Sequence, residues 1–193
     1  MPVSEPSDGG LDFDVPVMPT VDDAQGGTLL PVPYVSQNPA KNLCWAACCE
    51  MALRANNVTS WTLSTLAALF AVPGTSCSDA TAPGCDVAQK PEDAYGRLEF
   101  HFSGPFPYPF TWQALVNEIS TARRPVEALL HWDSNGESHA VLLIGLNNQG
   151  YVFVNDPLRG WGWVAYDDVK SAYGLGFWAF SYQEIGYSLG ALS

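Results

Sequence analysis

The chain has 193 residues, enough for one domain with a sizeable core and too few for two of ordinary size. With 47% apolar and 15% charged residues it lacks the composition of a disordered acidic chain, and no apolar run reaches the ~20 residues of a membrane-spanning helix. The formal net charge of −12 argues against nucleic acids and anionic membrane surfaces as partners, because both are bound through clustered Lys and Arg.

The first part of the chain has a composition of its own. Residues 1–28 are rich in Pro, Gly, Ser and Asp and show no apolar periodicity, which predicts a flexible arm or propeptide-like segment before a domain at residues 29–193. The arm has neither the basic start nor the apolar stretch of a secretory signal peptide. We therefore expect a soluble monomer that is cytoplasmic or secreted by a route without a visible signal peptide.

The segment at residues 42–55 predicts the first helix of the domain. Its helix formers place Trp45 and Leu53 on one stripe, and Asn42 is available as the N-cap. Cys44 then falls in the first turn. A helix N-terminus favours an anion, so the position favours the thiolate, which is the reactive form of cysteine.

Two more helices and a set of strands follow. Helices are predicted from Ser60 to Phe70 and from Thr111 through residue 119, with a loop-dominated, Gly- and Pro-rich segment at residues 74–109 between them. From residue 125 the apolar period changes to two, which is typical of strands. The predicted strands are residues 126–132, 139–146, 151–155, 161–166 and 177–182. Helices followed by strands indicate an α+β fold with the helices packed on an antiparallel sheet.

Three further residues join Cys44 as candidates for chemistry. His139 begins a strand after a polar turn, where an ordered imidazole can serve as a general base. Asp156 ends the next strand, so a hairpin would bring it beside His139 and allow it to orient the ring. Gln37 precedes the first helix, and its amide together with the backbone N–H of Cys44 can stabilise an oxyanion, which is typically worth ~3 kcal/mol of barrier.

These segments resemble the papain-like cysteine protease superfamily, in particular its small bacterial members and the peptidases that remove double-glycine leaders. The matching segments are Gln37, Asn42-Leu43-Cys44-Trp45-Ala46-Ala47, His139-Ala140-Val141 and Asn155-Asp156-Pro157. The resemblance spans roughly residues 30–185. It implies a papain-like fold without a cofactor, in which Cys44 is the nucleophile, His139 the base, Asp156 the group that orients His139, and Gln37 the oxyanion donor.

Some features depart from the family pattern or leave alternatives open. Glu137-Ser138 stands where many members have Gly-Gly before the histidine. Larger papain relatives use Asn as the third member, so Asn155 is an alternative to Asp156. Gly26-Gly27 in the arm is either a flexible hinge or a site of self-cleavage.

The other cysteines and the tryptophans carry secondary predictions. Cys48 and Cys49 are core residues or disulfide partners, while Cys77 and Cys85 form a disulfide in an oxidising compartment or pair with the helix cysteines. The side chains predicted to contact substrate are Trp45, Trp161 and Trp163. The residues His131, Asp133, Glu137 and His139 do not match a metal-ligand spacing, so we expect no metal.

The predicted function is a cysteine peptidase that hydrolyses peptide or protein amide bonds through a thioester intermediate. An acyltransferase or transamidase is the alternative, because an amine can resolve the same thioester. A non-catalytic binding domain is a second alternative. The acidic charge favours neutral or basic peptides among the substrates.

Overall fold

The computed structural model describes residues 27–98 and 100–186. Most of the predicted arm, including Gly26, therefore lies outside the described residues. The α-helices are α1 (Cys44–Ala55), α2 (Leu63–Phe70), α3 (Pro91–Arg97), α4 (Trp112–Leu115) and α5 (Tyr166–Lys170), with a π-helical turn at Val116–Thr121 and a 3₁₀ turn at Ala172–Gly174. The strands are β1 (Thr28–Leu29), β2 (His101–Phe106), β3 (Val126–Trp132), β4 (Ser138–Leu146), β5 (Tyr151–Asp156), β6 (Gly160–Ala165) and β7 (Gly176–Gly186).

The strands form one antiparallel sheet in the order β2-β7-β3-β4-β5-β6, and β1 pairs with the far end of β4. β4 is central and is buried from His139 to Leu146, because its sequence is an almost unbroken apolar run. The predicted hairpin of β4 and β5 is present, with Leu142 opposite Asn155. This register brings the start of β4 and the end of β5 to the same end of the sheet.

α1 packs between the sheet and the other N-terminal helices. One side of it, including Cys48 and Met51, joins the core on the sheet, and the other, including Trp45 and Leu53, joins a second cluster with α2 and α3. A helix that is apolar on all sides is normally buried, and α1 is buried from Trp45 through Leu53. The predicted α+β class, with N-terminal helices packed on an antiparallel sheet, is confirmed.

The segment predicted as a loop contains regular structure as well. α3 begins with Pro91 at its first turn, has acidic residues in that turn and ends near Arg97, which suits the helix dipole. β2 tolerates Gly104 and Pro105 because it is an edge strand of the sheet. Both elements are short, so their apolar periodicity is too brief to be recognised without the helix-start signals around Pro91.

Helix starts differ from the prediction in two of three cases. Thr111 caps α4 with its hydroxyl as predicted, but α2 is capped by Thr62 rather than Ser60. α1 has Leu43 at its N-cap and no side-chain cap, because Asn42 bonds to the loop around Asp86 instead. No helix within the described residues has the length and apolar character needed to cross a membrane.

Candidate active site

Cys44 is the first residue of α1 and differs from its two neighbours in exposure. Its side chain is partly exposed, whereas Cys48 and Cys49 are buried one turn further into the helix. The N–H groups of the first turn have no carbonyl partner within the helix, so they are available to other acceptors. Cys44 is therefore the one free cysteine of the described residues that a substrate can reach.

His139 and Asp156 form a buried pair at the end of the sheet. Nε2 of His139 lies 2.7 Å from Oδ1 of Asp156, and both side chains are at least 95% buried. The same oxygen accepts hydrogen bonds from the backbone N–H groups of Leu158 and Arg159, at 2.9 and 3.1 Å. The turn after β5 thus fixes the carboxylate, which in turn fixes the orientation of the imidazole.

The imidazole also lies close to the thiol. The thiol of Cys44 is close enough to contribute to the raised pKa of His139, both side chains line the same cleft, and Nδ1 is the ring nitrogen that Asp156 leaves available toward the thiol. Thiol, imidazole and carboxylate are therefore neighbours at one end of the sheet. Asn155, the alternative third member, points away from them, because its amide donates to Sδ of Met51 on α1.

His139 and Asp156 shift each other's pKa. Burial alone lowers the pKa of His139, but the charge of Asp156, the hydrogen bond to Asp156 and the nearby Cys44 outweigh it, so the pKa lies above its usual range. Burial opposes ionisation of Asp156, yet the facing His139 and the backbone N–H groups of Leu158 and Arg159 lower its pKa. The favoured state at neutral pH is imidazolium beside carboxylate.

Aromatic side chains cover the pair, and the sequence did not identify them. The indole of Trp132 stacks on the His139 ring at 5.7 Å, and the guanidinium of Arg159 lies over that indole at 5.4 Å. Tyr173 packs against Trp132, and burial together with the nearby charge of Asp156 raises the pKa of its hydroxyl well above the usual range. The register that pairs Leu130 with His139 is the one signal that could have placed Trp132 near the ring.

Gln37 is buried beside the thiol, with its amide engaged locally. Its Nε2 donates to the carbonyl oxygens of Ala40 and Lys41, at 3.2 and 3.0 Å. Its Oε1 has no hydrogen-bond partner among the described residues. Gln37, Cys44 and His139 line the same cleft of about 750 Å³.

Of the three tryptophans predicted to contact substrate, one lines the cleft. Trp45 contributes to its lining, together with Trp132 and the apolar side chains of Leu129 and Phe180. Trp161 and Trp163 are not brought to it; both pack against Phe153 on the neighbouring strand. They are two residues apart on the edge strand β6 and lie on the same face of it, so closeness to Asp156 in the sequence does not bring them to the cleft.

Cys77 and Cys85 are joined by a disulfide, with their Cα atoms 5.7 Å apart. Cys48 and Cys49 are free and buried, so they are core residues and not disulfide partners. Among the described residues, no three His, Cys, Asp or Glu side chains are grouped to hold a metal ion.

A thiol at a helix start and an imidazole that lines the same cleft and is paired with a carboxylate are the groups needed for acyl transfer. Residues 29–188 match the Peptidase_C39 like family. The chain belongs to this family. The resemblance inferred from the motifs is thereby confirmed, and the protein is a papain-like cysteine peptidase.

Among solved structures, the peptidase is similar to a double glycine motif protease from an AMS/PCAT transporter, determined in complex with the leader peptide. The two chains share 20% identity with a TM-score of 0.48, over 81% of this chain and 92% of the other. No curated protein matches the chain.

The cysteines provide a test of this arrangement. We expect iodoacetamide to alkylate Cys44 in the folded peptidase and to spare Cys48 and Cys49, because burial raises the pKa of both buried thiols and excludes the reagent. After unfolding without reductant, three cysteines should react, and after reduction all five. Peptide mapping by mass spectrometry resolves the sites, and rapid labelling of Cys48 or Cys49 in the folded protein would contradict the expectation.

Proposed function

We propose that this peptidase hydrolyses peptide or protein amide bonds through a thioester on Cys44, with His139 and Asp156 completing a catalytic triad. The observation that carries the proposal is the buried His139–Asp156 pair, whose imidazole lines the same cleft as the partly exposed thiol of Cys44. The three side chains come from α1, β4 and β5, so only the folded chain brings them together.

In the first half-reaction Cys44 attacks the scissile carbonyl carbon as the thiolate, with His139 as imidazolium, and the C=O π electrons move to oxygen. The proton of His139 passes to the leaving nitrogen as the tetrahedral intermediate collapses and the C–N bond breaks. The raised pKa of His139 keeps this proton available at neutral pH. The products are a free amine and an acyl group bound to Cys44 as a thioester.

In the second half-reaction water resolves the thioester. His139, now neutral, takes a proton from water while the water oxygen attacks the acyl carbon. The C–S bond then breaks, which releases a carboxylic acid and restores the sulfur of Cys44 beside imidazolium. Asp156 stays ionised throughout and stabilises the charge on the ring.

Two donors serve the negative oxygen of each tetrahedral intermediate in this proposal. One is the backbone N–H of Cys44 in the first turn of α1, which lacks a helical partner. The other is Nε2 of Gln37, which has two hydrogens and directs one of them from a carbonyl of Ala40 or Lys41 to the oxyanion.

Cleavage in ¹⁸O-labelled water tests hydrolysis against acyl transfer. A library of unmodified peptides is incubated with the peptidase, with and without an added amine such as glycinamide, and the new C-termini are analysed by mass spectrometry. We expect ¹⁸O in the new carboxyl groups, because water resolves the thioester. Products that carry only the added amine would establish acyl transfer instead, and the absence of any product would contradict the proposal.

The position of Gly27 bears on whether the peptidase cleaves its own arm. Gly27 precedes β1, whose Thr28 pairs with Leu146, whereas His139 lies at the other end of β4. Seven residues of strand separate the two points by roughly 23 Å. We therefore expect no intramolecular cleavage at Gly26-Gly27 while β1 stays paired. Intact mass of a dilute sample over time checks this, and truncation at Gly27 at a rate independent of protein concentration would contradict it.

A further inference from the structure

One acidic side chain outside the triad holds the segment that carries both oxyanion donors. The carboxylate of Asp86 accepts the backbone N–H of Lys41 at Oδ2, at 2.9 Å, and that of Asn42 at Oδ1, at 2.7 Å. Each oxygen takes one successive amide, so the carboxylate fixes the position and tilt of this stretch of backbone. The stretch runs from Gln37 to Cys44.

The two amides that Asp86 binds belong to residues that also position the donors. The carbonyl of Lys41 accepts from Nε2 of Gln37, and Asn42 is two residues before Cys44. A shift of this backbone would move the Gln37 amide, whereas Cys44 is held by the rest of α1, which is buried from Trp45 onward. α1 has no side-chain cap of its own. Asp86 is therefore the charged group that restrains the backbone leading into the first turn of α1.

Asp86 is itself held from both directions. It follows Cys85, which is tied to Cys77 by the disulfide. The next residue, Val87, accepts a hydrogen bond from Nε1 of Trp45 at 3.0 Å, and the carbonyl of Asp86 accepts from Nδ2 of Asn42 at 3.2 Å. The disulfide loop and α1 are thereby joined on either side of the carboxylate.

We propose that Asp86 is a positioning residue for the oxyanion site, acting through the backbone of Lys41 and Asn42. The inference rests on the proposed function, since it concerns the oxygen of the tetrahedral intermediate on Cys44. Asp86 touches neither the substrate nor the thiol in this role. Its loss therefore destabilises the transition state, in which the oxyanion exists. Substrate binding and the reactivity of the free thiol remain unchanged.

The test compares Asp86→Asn and Asp86→Ala with wild type in three measurements: kcat, KM and the rate of alkylation of Cys44 by iodoacetamide. Alkylation forms no oxyanion, so it reports the thiol alone. Asp79→Asn is the matched control, because Asp79 lies within the adjoining Cys77–Cys85 loop and accepts hydrogen bonds from Thr81 and not from the Gln37 to Cys44 segment.

We expect Asp86→Ala to lower kcat by about 10- to 100-fold with KM and alkylation close to wild type. Asp86→Asn retains one acceptor oxygen, so its kcat should lie between those of Asp86→Ala and wild type. Asp79→Asn should match wild type in all three measurements. Unchanged kcat in both Asp86 variants, with Cys44→Ala inactive, would overturn the inference alone. A fall in both kcat and alkylation rate together with a raised KM would reveal a purely structural role and would also overturn the inference. Turnover that survives in Cys44→Ala would overturn the proposed function, and this inference with it.

Discussion

Replacing Cys44 by alanine is expected to reduce peptide hydrolysis by at least about 10³-fold, because no other exposed free thiol is available in the described part of the chain to form the thioester. Removal of the imidazole in His139→Ala should cost a comparable factor, since the leaving amine then has no proton donor. Initial rates with a cleaved peptide, measured at substrate concentrations around KM, provide the comparison.

Cys48→Ala is the matched control for Cys44→Ala. It removes a thiol from the same helix one turn away, at a fully buried position. We expect it to retain kcat near the wild-type value and to lose some stability through the small cavity it creates. Circular dichroism of all the variants establishes that they are folded. Equal activity of Cys44→Ala and wild type would show that the chemistry occurs elsewhere.

Removing the charge of Asp156 is expected to move the alkaline limit of activity to lower pH. The proposed mechanism requires a protonated His139, so we expect activity to fall as the pH rises through the raised pKa of His139. Without the carboxylate, burial of the ring dominates and the pKa falls. In Asp156→Asn we expect the alkaline limb of kcat/KM to shift down by about 1 to 3 pH units, with a corresponding loss of activity at pH 8.

The control for this pH experiment is Asn155→Ala. Asn155 is the neighbouring residue on β5, and its amide contacts Met51 rather than His139. Its replacement should leave the position of the alkaline limb unchanged, even if stability falls. A limb that moves in Asn155→Ala and stays fixed in Asp156→Asn would assign the orienting role to Asn155.

The catalytic candidates were predictable because each depends on local structure. Cys44 follows from the start of an apolar helix, and the pairing of His139 with Asp156 follows from two strands joined by a short turn. A hairpin fixes which residues share an end of the sheet, so the sequence contained enough information to bring these two side chains together.

Contacts between distant segments were not predictable in the same way. Trp132 covers His139 because β3 and β4 pair in a particular register, and Asp86 reaches Lys41 because the disulfide loop folds back on α1. Asn42 has the side chain of a good N-cap, yet the backbone of this segment bonds to Asp86 and the cap falls on Leu43. Here tertiary contacts override a local preference.

The tryptophans of β6 show that proximity in the sequence does not ensure proximity in the fold. Trp161 and Trp163 lie close to Asp156 in sequence, which suggested that they reach the cleft, but β6 is an edge strand beyond β5. Their rings pack on Phe153, while the cleft is lined from the β3 and β7 side by Leu129 and Phe180. Strand order, which depends on the whole chain, decides which aromatic side chains face the thiol.

Trapping the acyl-enzyme tests the central claim most directly. The peptidase is mixed with a peptide that it cleaves, quenched in acid within the first turnovers, and analysed by intact mass and peptide mapping. We predict that the acyl portion of the substrate is found on Cys44 as a thioester in wild type and on no residue in Cys44→Ala. An adduct on another residue, or continued hydrolysis by Cys44→Ala, would contradict the account.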